Sequence, residues 1–151
     1  MSNDYDIDIR DALREISGKP YIVSEKKAPD LAGISVKDGV IYTIKDEGVL
    51  EIINLSNSEE GFDFKNILAS LETHKTVHWI AVYDNLACIG NKSSIDLIDI
   101  ADKNNPVYIF SLIGNSIFIE GNFAYIANKR YFSILDIGSI LKKEKIKMDL
   151  T

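Results

Sequence analysis

Residues 80–137 constrain how this chain can fold more than any other stretch, because they state one 21-residue phrase twice. IAVYDNLACIGNKSSIDLIDI (Ile80 to Ile100) aligns with IFIEGNFAYIANKRYFSILDI (Ile117 to Ile137) without a gap. The offset is 37 (117 − 80), and 8 of the 21 positions are identical. Duplication at such a period marks a repeat architecture, in which each unit buries its apolar faces by stacking on its neighbours.

A third, more degenerate copy precedes these two. Ile34 to Tyr42 lies 46 residues (80 − 34) before Ile80 to Cys88, and Leu50 to Leu55 follows the pattern of Ile95 to Ile100. Each copy reads strand, turn, strand, polar turn, strand, with strands rich in Ile, Val, Tyr and Phe, which suit a pleated and half-buried surface. The first turns are Asp38-Gly39, Asp84-Asn85 and Gly121-Asn122, pairs that supply the positive φ of a tight hairpin. A fourth strand is expected at Val107 to Leu112 in the second unit and at Ile146 to Leu150 in the third. In the first unit that place falls to Phe62–Leu71, where Phe64, Ile67, Leu68 and Leu71 also follow helical spacing, so strand and helix stay open. The first unit is about nine residues longer (46 − 37), and the excess is expected in a polar loop at Ser56 to Gly61.

Ahead of the repeats, residues 4–17 are expected to form a short amphipathic helix. Ile9, Ala12, Leu13 and Ile16 would share a face, aspartates would sit near its positive end, and Gly18 and Pro20 would end it. Pro20 to Ser24 reads as a strand with its proline first. The fold class is therefore mainly β: three four-stranded antiparallel units in one domain, at 20–75, 79–115 and 116–151, after an N-terminal helix.

The phrases FAYIA (123–127), FSILD (132–136) and IDLIDIADKNNP (95–106) resemble LVIVD repeats. The resemblance runs over roughly residues 20–150 and is weakest in the first copy, where Asn54 replaces the aspartate. It implies propeller-like blades, a partial β-propeller, and carries no catalytic residues with it. Propellers close with about four to eight blades. Three units leave open faces, which two chains in a six-bladed ring, a capping segment or a partner would cover.

The chemistry-bearing residues are few. Cys88 is the only cysteine and sits in a strand-like run, so a buried, inert thiol is expected. His74 and His78 are the only histidines; their spacing lacks the glutamate and third ligand of a zinc site, so a surface loop pair is expected. Gly90-Asn-Lys-Ser93 matches Ala127-Asn-Lys-Arg130 and is therefore a repeat turn, not a phosphate loop. Asp99 and Asp136 recur at strand ends, where a carboxylate can accept turn amides. No catalytic group, metal or cofactor is indicated.

Charge gives the remaining direction. A net charge of −6 opposes nucleic-acid binding, which needs clustered Lys and Arg to displace counterions. The acidic start has no apolar segment for secretion or membrane insertion, so a cytoplasmic location is expected. Three classes of function compete: an enzyme, a small-ligand-binding or self-assembling propeller, and a protein-binding module. The last is preferred, most specifically an immunity protein that neutralises a basic toxin domain such as a nuclease. The residues expected to meet the partner are Asp4, Asp6, Asp8, Glu59, Glu60 and Asp63, the densest acidic clusters, while Trp79 is either core or blade-edge packing or an interface anchor.

Overall fold

The computed structural model describes residues 25, 27–58 and 61–141, with the side chains of 56–58 and 61–65 left aside. They form eleven strands in three antiparallel sheets. The first sheet runs β1 (Leu31–Lys37), β2 (Val40–Lys45), β3 (Val49–Ser58) and β4 (Gly61–Glu72). The second runs β5 (Trp79–Tyr83), β6 (Leu86–Gly90), β7 (Ser94–Asp99) and β8 (Val107–Ile113). The third holds β9 (Ser116–Glu120), β10 (Phe123–Ala127) and β11 (Phe132–Asp136). Every sheet is a meander in chain order, an arrangement consistent with partial propeller-like units.

Alternation along β6 explains how the units stack. Ala87 and Ile89 face the first sheet, where they join Val40, Tyr42, Ile44, Leu50 and Ile52 in one core; Ile98 and Ile100 lie in the same cluster. Their neighbours Leu86 and Cys88 belong to a second core with Ile95, Leu97, Ile117, Ala124, Ile126 and Ile137, between the second and third sheets. All five residues of β6 are buried. A strand covered on both faces reads as a continuous apolar run, as Leu-Ala-Cys-Ile-Gly does. Close approach needs small residues at the seams: a Cβ on Gly33 would already stand 3.3 Å from Ile80 Cγ2.

One backbone bond marks the repeat in all three units. The amide of Leu55, Ile100 or Ile137 donates to the carbonyl of Gly39, Asn85 or Asn122, at 3.0, 2.9 and 2.8 Å. The tight turns take the expected left-handed backbone, with φ of 51° at Asp38, 74° at Gly39, 49° at Asp84 and 61° at Gly121.

Phe62–Leu71 resolves as strand, because pairing with β3 runs from Val49↔Glu72 to Ser58↔Gly61 and overrides the helical spacing. That register also corrects the expected polar loop at Ser56 to Gly61. Ser56, Asn57 and Ser58 pair with Asp63, Phe62 and Gly61, so the added residues lengthen a hairpin, with bulges between Ile52/Ile53 and Asn54/Ser56. The expected helix at 4–17 and the strands at Pro20 to Ser24 and Ile146 to Leu150 lie outside the described residues. The helical turn among the described residues is at 138–141, where the amides of Ile140 and Leu141 both reach Ile137 O at 3.1 Å. The third sheet thus has three described strands where four were expected.

Candidate partner-binding surfaces

Sequence reasoning singled out two acidic clusters, and the structure bears on one. Strand β2 stops pairing with β3 at Val40↔Asn54, while β3 and β4 continue together to Ser58↔Gly61. Three residues of β3, 56–58, therefore run past the sheet as a two-stranded arm, a projection of roughly 10 Å at about 3.3 Å per residue. Asp63 lies in β4 on this arm, opposite Ser56. Glu59 and Glu60 link the two strands and lie outside the described residues, as do Asp4, Asp6 and Asp8.

Trp79 begins β5 at the seam between the second and third sheets. It is half-buried and packs against the second core. Gly90 is its cross-strand partner, and a Cβ there would come within 2.8 Å of indole Cε2, so only glycine leaves room for the ring. With Ala81, Asn115, Ser116 and Ile117 it lines a shallow cleft of about 200 Å³. Its indole Nε1 is buried with no hydrogen-bond partner among the described residues. Tyr83 closes the same seam: its hydroxyl donates to Ile117 O at 3.1 Å, and its ring meets Phe118 edge-on at 5.5 Å.

A second cleft, about 210 Å³, lies between the first two sheets and contains a polar cluster that sequence reasoning missed. Asp96 is buried in β7, and Lys75 Nζ reaches its Oδ1 at 2.8 Å. Lys75 also donates to Ser111 Oγ at 2.8 Å, Tyr108 OH donates to the same oxygen at 3.2 Å, and Ser111 Oγ donates to Asp96. The serine's proton is committed to the carboxylate and its lone pairs are filled. The network pins the loop before β5 to β7 and β8 and satisfies a buried charge. Local spacing could not reveal it, since Lys75 comes from 21 residues away. Both clefts fall below the roughly 300–1,000 Å³ usual for small-molecule sites.

The remaining candidates sit as follows. His74 and His78 are exposed in the loop before β5, and among the described residues no three His, Cys, Asp or Glu side chains converge on a metal position. Cys88 is fully buried, and burial pushes its thiol up to about 12. Asp99 Oδ1 accepts the amide of Ala101 at 2.9 Å, and Asp136 Oδ1 accepts that of Gly138 at 2.8 Å. Asn91 and Asn128 cap equivalent turns, each taking two amides: Ser93 and Ser94 in one, Arg130 and Tyr131 in the other. These shared residues are accounted for by turn chemistry. No helix among the described residues is long and apolar enough to cross a membrane.

The third sheet presents a further surface. Its outward positions are Phe118 on β9, Phe123 and Tyr125 on β10, and Phe132 and Ile134 on β11, all exposed. Cross-strand pairs Phe118↔Tyr125↔Ile134 make them one continuous patch. Subtracting the repeat offset of 37 maps Phe123, Tyr125, Phe132 and Ile134 onto Leu86, Cys88, Ile95 and Leu97. In the second unit those four are buried beneath the third sheet.

The LVIVD repeat model matches residues 76–113 and 114–139. These are the second and third units. The first, with Asn54 at the aspartate position and its lengthened hairpin, lies outside the match, which is narrower than the roughly 20–150 expected. No curated protein matches the chain. Residues 76–139 are therefore similar to two consecutive LVIVD repeats, each built as one antiparallel sheet.

Proposed function

We propose that this chain is a non-enzymatic protein-binding module that captures a cationic protein, most specifically an immunity protein that occludes a toxin domain such as a nuclease. The observation that carries the reading is the β3–β4 arm. It lengthens the first unit relative to the other two, it reaches past its sheet, and Glu59 and Glu60 join its strands beside Asp63 in sequence. Repeat scaffolds recruit function by such extensions. A projecting acidic hairpin, on a chain of net charge −6, would be drawn to a cleft shaped for nucleic-acid phosphates and would fill it. In the same reading the units form an arc of a β-propeller in a reducing, cytoplasmic compartment, and Asp4, Asp6 and Asp8 add to the attraction.

Affinity capture from the native host tests this, with the wild-type chain and Glu59→Lys/Glu60→Lys/Asp63→Lys run in parallel at low and high salt. A basic protein should be retained by the wild type at low salt and lost from the variant. Equal retention by the variant would remove the electrostatic reading. A captured protein with no activity for the chain to inhibit would remove the immunity role.

A further inference from the structure

From the outer face of the third sheet we infer that two copies of this chain pair there, sheet against sheet, about a two-fold axis. The repeat states what the face is built for. Phe123, Tyr125, Phe132 and Ile134 occupy the positions that, one unit earlier, are sealed beneath the next sheet. With Phe118 they are between 42 % and 82 % exposed. At roughly 200 Å² per fully exposed large side chain, they offer on the order of 560 Å² per chain. A pair would bury roughly 1,100 Å² before its rim is counted, enough to clear the ~1,000 Å² that a specific interface needs.

Charge chooses a second copy in this arrangement over a head-to-tail ring, since the opposite end of the stack mixes buried Ile41, Thr43 and Ile53 with exposed Ile34, Val36 and Ile67. The third sheet's face is self-complementary in charge. Glu120 and Asp136 flank Phe123 at one end of the strands, and Lys129 and Arg130 form the turn at the other. A two-fold axis lying between the sheets and across the strands sets each acidic end over the partner's basic end. That is an isologous contact, which closes on itself.

Sedimentation velocity on the full chain tests the pairing. The wild type should run at twice its 16.9 kDa mass. Phe132→Glu, at a position 82 % exposed, should give a monomer with an unchanged circular-dichroism spectrum. Glu120→Lys and Arg130→Glu should each weaken the dimer about tenfold, and the double reversal should restore it. Ile34→Glu, on the opposite face of the stack, should leave it intact. A monomeric wild type, a dimer indifferent to Phe132→Glu, a double reversal that fails to restore, or dissociation by Ile34→Glu would each overturn the inference.

Discussion

Truncating two adjacent residues of β7 should be costly at both, which an ordinary half-buried strand would not show. Leu97 and Ile98 are consecutive, 1 % and 0 % exposed, and lie in different cores: Leu97 against the third sheet, Ile98 against the first. Each change to alanine removes three buried carbons, about 2.4 kcal/mol at ~0.8 per methylene. The cavity left behind brings the loss to about 3–4 kcal/mol. For a domain of this size that lowers Tm by roughly 6–15 °C. Urea unfolding followed by Trp79 fluorescence and by circular dichroism reads both variants. Ile134→Ala, at the repeat position of Leu97 but 59 % exposed, should cost below about 1 kcal/mol in the monomer. If Leu97→Ala or Ile98→Ala costs less than about 1 kcal/mol, the second sheet is not covered on both faces and the stacking is wrong.

Gly48→Ala should destabilise by about 2–4 kcal/mol, because φ is +94° and the new Cβ would meet Thr73 Oγ1 at 2.6 Å, whereas Gly39→Ala, in open space, should cost about 1 kcal/mol in a urea titration. Cys88 keeps its proton when folded up to about 12 but loses it near 9.0 when unfolded. Above pH 9 the native state therefore binds more protons, and stability should fall by up to ~1.4 kcal/mol per pH unit, a slope that Cys88→Ala should reduce in unfolding curves between pH 8 and 11. Asp99→Ala and Asp136→Ala should each cost about 0.5–1.5 kcal/mol by thermal unfolding, through loss of the amide bonds to Ala101 and Gly138.

What could be read from the sequence was local. Asp38-Gly39 and Gly121 announce their turns because few residues tolerate the left-handed backbone, and the aspartates at 99 and 136 announce their caps because the acceptor lies two residues from the amide. Cys88 was legible because its neighbours were apolar on both sides. Phe62–Leu71 was not, since Phe64, Ile67, Leu68 and Leu71 satisfy a helix as well as a bulged strand, and only the partner strand decides. The lengthened arm reads as a loop in sequence for the same reason: Ser and Asn favour turns, but register with Phe62 and Asp63 holds them extended. Asp96 and Lys75 meet only through stacking of two units. The aromatic face was written in the repeat alignment, yet identical spacing cannot say which copy is covered.

The most direct test of the proposed function is the association rate of the purified chain with the basic protein captured from its host, measured by stopped flow across a salt series. Electrostatic capture by the acidic arm predicts that Glu59→Lys/Glu60→Lys/Asp63→Lys slows association at least tenfold at low salt and flattens its salt dependence. Equal rates for wild type and variant at low salt would contradict it.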